Sequence, residues 1–279
     1  MVTTVNPANA LQQIKDTIVL AGAGKMGGAM LAGWLARGLA PKKVVVIEPH
    51  PSDEIRALLT KGIRLNPTAK DIGAAATLVV ALKPQSFREA GPAIKPFAGP
   101  ATLVVSIMVG TTIASIEQIC GGSVVRAMPN TPAAIGRGIT VAVAANNVSA
   151  DQRAVADALL RATGSVEWVD DESLMDAVTA VSGSGPAYVF LLAEELARAG
   201  VEAGLPPDLA TKLARETVAG SGELLHRSEL ASATLRQNVT SPGGTTAAAL
   251  EVLMAKDGMQ PLLTRAVAAA TRRSKELAK

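Results

Sequence analysis

The chain is 279 residues long, 48% apolar and only 2% aromatic, with a formal net charge of +3. That length holds one large or two ordinary domains with a full core. Six aromatic residues (Trp34, Phe87, Phe97, Trp168, Tyr188 and Phe190) and scattered basic residues argue against a nucleic-acid partner, which needs stacking platforms and a concentrated positive face. Cys120 is the single cysteine, and His50 and His226 lie in different halves. This excludes an intrachain disulfide framework and speaks against a cysteine or histidine metal site.

Residues 1–15 are polar and irregular and read as a loosely held tail, without the basic-then-apolar pattern of a secretion signal. The longest uncharged stretch, residues 177–193, is broken by Ser182-Gly183-Ser184-Gly185-Pro186 and is too short to span a bilayer. A cytoplasmic protein without a membrane partner is the expectation.

From residue 17 onward, β-branched apolar runs alternate with helical segments. Residues 17–21 predict a strand leading into Gly22-Ala23-Gly24-Lys25-Met26-Gly27 and a helix over 26–37. This is G-x-G-x-x-G between strand and helix, the dinucleotide fingerprint. Its first glycine makes the tight turn, its second lets a diphosphate approach, and its third permits close helix packing. The second strand, 44–48, closes on Glu48, twenty-one residues after Gly27. A carboxylate there can accept from the adenosine ribose hydroxyls and repels a 2′-phosphate, which leans the cofactor towards NADH over NADPH. Pro49, His50 and Pro51 bring no guanidinium to offset it.

A helix over 52–61 follows, then a strand over 78–82 ending in Leu82-Lys83-Pro84, and one over 102–106 running into Ile107-Met108-Val109-Gly110. Ligands of open α/β sheets bind beyond the carboxyl ends of the strands, so both turns should face the cofactor. Lys83 alone would pass for a surface lysine. A helix over 112–120 and strands over 124–128 and 140–144 come next, and a helix over 151–162 follows them. A last strand over 165–169, antiparallel at the sheet edge, completes the pattern. Continuous apolar strands alternating with helices predict an α/β Rossmann domain with a doubly wound, mostly parallel sheet, here over 16–168.

Residues 169–279 lack strand signals and read as an all-α domain of about five helices, punctuated by Gly204-Leu205-Pro206-Pro207, by residues 241–244 and by Asp257-Gly258. The helix after Pro186 opens with Ala187-Tyr188-Val189-Phe190-Leu191-Leu192-Ala193, which is apolar all round. Such a helix must be covered on every side, and a partner subunit is the expected cover. Ser241-Pro242-Gly243-Gly244-Thr245-Thr246 runs into an alanine-rich helix. Two glycines there let the backbone aim consecutive N–H groups at one point, and the positive end of the helix favours an anion. The plain alternative is an N-capped helix after a Pro-Gly turn.

Arg126-Ala127-Met128-Pro129-Asn130-Thr131-Pro132, Ser182-Gly183-Ser184-Gly185-Pro186 and Ser241-Pro242-Gly243-Gly244-Thr245-Thr246, following the fingerprint in this order, strongly resemble pyrroline-5-carboxylate reductase. The resemblance covers nearly the whole chain. It implies reduction of 1-pyrroline-5-carboxylate to L-proline by NADH or NADPH, and a Rossmann domain followed by a helical dimerisation domain. It further implies a homodimer that can assemble into a larger ring such as a decamer. By match of motif, Gly22, Ala23, Gly24, Lys25, Met26, Gly27, Lys83, Pro84, Met128, Pro129, Asn130 and Thr131 touch the cofactor. Ser241, Gly243, Gly244, Thr245 and Thr246 hold the substrate. Two departures stand out: Met108-Val109 where the family favours small residues, and Glu48 where many members carry Asn, Ser or Arg.

The substrate is a cyclic imine with a carboxylate. Amides of Gly244, Thr245 and Thr246 are expected to bind that carboxylate. No histidine is placed to protonate the ring nitrogen, so the Thr246 hydroxyl is the candidate catalytic group, with solvent or the protonated imine supplying the proton. A β-hydroxyacid dehydrogenase would need a lysine on the helix after Pro186, and there is none. A non-catalytic nucleotide sensor would not need the second anion seat.

Overall fold

The computed structural model describes residues 7–277. Each four-residue apolar run becomes a strand buried on both faces, because helices cover the sheet on either side. The strands are β1 (Ile18–Ala21), β2 (Val44–Ile47), β3 (Arg64–Leu65), β4 (Thr77–Val80), β5 (Leu103–Ser106), β6 (Ser123–Met128), β7 (Gly138–Ala144) and β8 (Gly164–Trp168). Their order in the sheet is β3-β2-β1-β4-β5-β6-β7-β8. β3 to β6 with β2 and β1 run parallel, so the mostly parallel α/β expectation holds.

The direction reverses one strand earlier than expected. β7 is antiparallel to β6, and β8 is parallel to β7. The turn at residues 129–137 is too short for a helical crossover, so β7 must come back as a reversed neighbour. β8 is then joined to β7 through a helix and pairs with it in parallel.

The helices of this part are α1 (Lys25–Ala36), α2 (Asp53–Ala57), α3 (Ala69–Ile72), α4 (Pro84–Ile94), α5 (Ile113–Cys120), α6 (Ala150–Arg161) and α7 (Met175–Val178). Trp34 on α1 is fully buried and donates its indole N–H to the Leu159 carbonyl of α6 at 2.8 Å. The expected tail over 1–15 lies partly outside the described residues. Within them, Pro7–Gln13 forms a 3-10 turn and Leu11 is buried in the core.

Two compact units emerge, residues 7–183 with 271–277, and residues 184–270. The first extends past the expected boundary at 168 because residues 172–183 pack back on the sheet. Met175 joins Met128 and Val143 in a buried cluster, and Ser274 donates to Asp176 at 2.6 Å. The second unit contains α8 (Gly185–Glu202), α9 (Pro207–Arg227), α10 (Ser232–Asn238), α11 (Thr245–Leu253) and most of α12 (Met259–Leu277). It is all helical, as expected. On α8, Val189, Phe190, Leu191 and Leu192 are all exposed in the single chain, Phe190 by 67%.

Candidate active site

The carboxyl edge of the parallel strands gathers the predicted cofactor residues. Gly22 donates its amide to the Ile47 carbonyl at 2.9 Å, Ala81 to Ala21 at 2.8 Å, and Ile107 to Val80 at 3.0 Å. These bonds set the ends of β2, β1, β4 and β5 side by side, with Glu48, the fingerprint, Leu82-Lys83 and Ser106 along one rim.

Each glycine of the fingerprint has its own steric reason. Gly22 adopts φ +93°, and a Cβ there would come within 2.6 Å of the Ala81 carbonyl oxygen. A Cβ on Gly27 would strike the Gly22 carbonyl. At Gly24 a Cβ would meet nothing within 4 Å, so the backbone faces open space. Gly24 is also the N-cap of α1, with no side-chain cap, and the first helical bond is Gly28 N–H to Gly24 at 2.7 Å. The amides of Lys25, Met26 and Gly27 precede that bond, so the uncovered approach at Gly24 and the helix end together fit a dinucleotide diphosphate.

Glu48 Oε2 accepts the Ala23 amide at 2.9 Å, and Oε1 accepts the His50 amide at 3.0 Å. The carboxylate is thereby drawn over the glycine loop. Asn66, which the sequence reading did not single out, pairs with the Glu48 backbone in both directions at 2.8 Å.

Lys83 is exposed at the N-cap of α4, with Pro84 as the first helical residue. Met128 and Pro129 are buried at the end of β6, whereas Asn130 and Thr131 are accessible. Asn130 Oδ1 accepts the Ile139 amide at 3.0 Å, which fixes the side chain against β7. The 3-10 turn that begins at Thr131 packs against α1. The first unit thus brings all the predicted cofactor residues to one edge.

Arg126, two residues before Met128, is 5% exposed and donates to Glu172 Oε1 at 2.8 Å. No spacing signal links these residues, since they lie 46 positions apart. After α7 the chain makes a π turn over Thr179–Gly183, where a Cβ on Gly183 would collide with the Met128 methyl. The Ser182 hydroxyl oxygen is buried there without a hydrogen-bond partner. π turns are frequent at functional sites.

The predicted substrate residues lie in the second unit. Gly243 takes φ +68°, and Gly244 is the N-cap of α11 with no side-chain cap, so the plain capped-helix alternative does not describe this turn. One expectation changes. The Gly244 amide donates to the Ser241 carbonyl at 3.0 Å and is committed within the turn. The first bond of α11 is Ala248 N–H to Gly244 at 3.2 Å, so the amides that precede it are those of Thr245, Thr246 and Ala247.

Comparison with known proteins fixes the family. Residues 172–277 match the pyrroline-5-carboxylate reductase dimerisation family, and residues 17–110 match the family described as NADP oxidoreductase coenzyme F420-dependent. The pyrroline-5-carboxylate reductase of Synechocystis is 42% identical over 266 residues, covering 92% of this chain and 97% of that protein. The chain belongs to the pyrroline-5-carboxylate reductase family. It is an NAD(P)H-dependent oxidoreductase that reduces 1-pyrroline-5-carboxylate to L-proline, with a C-terminal region built for homo-oligomerisation.

Two solved structures agree. The reductase of Coxiella burnetii has a TM-score of 0.86 at 34% identity, covering 95% of this chain and all (100%) of that one. That of Plasmodium falciparum, with NADP bound, has a TM-score of 0.79 at 28% identity, covering 95% and 99%. Among the described residues, no helix is long and apolar enough to cross a membrane, and no cluster of His, Cys, Asp and Glu could hold a metal ion.

Proposed function

We propose that this reductase prefers NADH over NADPH. The single observation that carries the preference is the Glu48 carboxylate lying 2.9 Å from the Ala23 amide, where an adenosine ribose would meet it. In this reading residues 22–27 hold the diphosphate, Glu48 the ribose hydroxyls, and Leu82, Lys83, Pro84, Met128, Pro129, Asn130 and Thr131 the nicotinamide half. The Plasmodium relative carries NADP, so the preference is argued from Glu48 and not from kinship.

The bound dinucleotide supplies a hydride to C5 of the imine. The protein's own part is to bind, orient and satisfy charge. Ser241, Gly243 and Gly244 shape the turn, and the amides of Thr245, Thr246 and Ala247 receive the substrate carboxylate. Orientation of this kind is worth on the order of several kcal/mol of barrier. The Thr246 hydroxyl hydrogen-bonds the ring nitrogen, donating to a neutral imine that solvent protonates or accepting from the N–H of an imine that arrives already protonated. The working assembly in this reading is a cytoplasmic homodimer that closes into a ring such as a decamer.

Initial rates with NADH and NADPH at matched concentrations test the preference directly, and faster turnover with NADPH would end it. Thr246→Ala tests the substrate assignment. A fall in kcat beyond roughly tenfold supports the hydroxyl's role, and near-normal turnover removes it.

A further inference from the structure

We propose that Asn66 is the positioning residue that gives Glu48 its grip on the adenosine ribose, and so helps set the choice between the two dinucleotides. This rests on the NADH reading of Glu48.

β2 and β3 pair in parallel through Val45↔Arg64 and Val46↔Leu65. The ladder continues with the Asn66 amide donating to the Val46 carbonyl at 2.8 Å. The next backbone donor in that ladder is the Thr68 amide, and it donates instead to the Asp71 carboxylate at 3.0 Å. The Asn66 side chain takes over the next rung. Its Oδ1 accepts the Glu48 amide at 2.8 Å, and its Nδ2 donates to the Glu48 carbonyl at 2.8 Å. A carboxamide has the acceptor and donor of a peptide group, so it can close both bonds at once.

The backbone at Asn66 supports the assignment. At φ +50° it is the sole non-glycine residue with positive φ among the described residues. Asparagine tolerates that region better than most residues. β2 ends at Ile47, so Glu48 lies beyond the regular ladder, and Pro49 after it has no N–H. With its backbone clamped by Asn66, and its two oxygens on the Ala23 and His50 amides, Glu48 is fixed at both ends. A carboxylate held in this way discriminates against a 2′-phosphate more sharply than one free to swing into solvent.

The test is steady-state kinetics on the full chain as wild type, Asn66→Gly, Glu48→Ser and the double variant, with both dinucleotides. Glycine keeps the positive φ and removes only the amide. Asn66→Gly should raise KM for NADH by roughly threefold to tenfold, as expected for two partly exposed hydrogen bonds. It should leave kcat within about twofold. In the Glu48→Ser background the same change should add nothing. Asn66→Asp keeps an acceptor for the Glu48 amide but sets a carboxylate oxygen against the Glu48 carbonyl, so its KM for NADH should be no lower than that of Asn66→Gly. An Asn66→Asp KM for NADH equal to that of wild type overturns the paired rung.

If Glu48→Ser lowers the NADH:NADPH ratio of kcat/KM and Asn66→Gly does not, the role of Asn66 is refuted while the Glu48 reading stands. If Glu48→Ser leaves the ratio untouched, both fall together. A loss of kcat with either dinucleotide alike marks a merely structural loop and also overturns the proposal.

Discussion

Arg126 and Glu172 form an ion pair of 2.8 Å in which the same carboxylate oxygen also accepts the Ile113 amide at 2.8 Å. The arginine side chain is 6% exposed and the glutamate 32%, so the pair is buried on one side and wetted on the other. It ties β6, which ends in the proposed nicotinamide-facing Met128-Pro129, to the segment that leads into the π turn.

Removing the acid alone strands a buried cation. Glu172→Ala should therefore cost about 2 kcal/mol or more, below the value for a fully buried pair because Glu172 is partly solvated. That corresponds to a drop of about 4 °C or more in Tm by calorimetry. Replacing both partners, as Arg126→Met with Glu172→Leu, should recover most of the loss. A double variant no more stable than the single would show that the pair is worth more than its desolvation cost.

Gly24 and Gly27 should part company when each is changed to alanine. Gly27→Ala forces a Cβ into the Gly22 carbonyl, so it should destabilise the fold by about 1–3 kcal/mol as well as weaken the dinucleotide. Gly24→Ala has open space, and φ of −67° suits alanine, so Tm should stay within about 2 °C. Its methyl group instead occupies the approach to the diphosphate, and KM for the dinucleotide should rise by roughly tenfold or more. Equal thermal losses in the two variants would contradict this division.

Cys120 lies buried against the sheet, and desolvation pushes its thiol up to about 11, although nearby Lys95 pulls the other way. The unfolded thiol ionises near its ordinary value of about 9, so the unfolded chain loses the proton first. The contribution is fully present below pH 9 and declines as pH climbs towards 11, by up to roughly 2–3 kcal/mol. Urea titrations across that window should show the decline in wild type. Cys120→Ala should flatten this part of the curve, and an unchanged slope would reject the assignment.

Phe190 is 67% exposed on α8, inside the region that matches the dimerisation family. A charge there is compatible with the single chain and costly in an apolar interface. Phe190→Glu should keep its helical circular dichroism while light scattering reports a smaller species. An unchanged mass would place the interface on another face.

Much of the first unit was legible from sequence because parallel strands covered on both faces leave a simple trace, an unbroken run such as 18–21 or 44–47. The fingerprint was legible for a related reason, since each glycine answers a separate steric demand. β3 escaped notice because two residues, one of them the exposed Arg64, leave no periodicity to read. Asn66 and the Arg126–Glu172 pair were invisible because their partners lie 18 and 46 positions away, a distance only the folded chain closes. The domain boundary moved for the same reason, as residues 172–183 are helical in sequence yet belong to the sheet's core. In the proposed substrate turn the sequence counts the Gly244 amide among the free donors, but its hydrogen bond to Ser241 shifts the available amides one residue along.

Both tryptophans, Trp34 and Trp168, belong to the sheet-bearing unit, and residues 184–270 contain none. Indole emission will therefore follow the melting of one half of the chain and stay silent about the other, while far-ultraviolet ellipticity weighs the helices of both. A gap between the two denaturation curves would give the thermodynamic independence of the helical module without a single label being introduced.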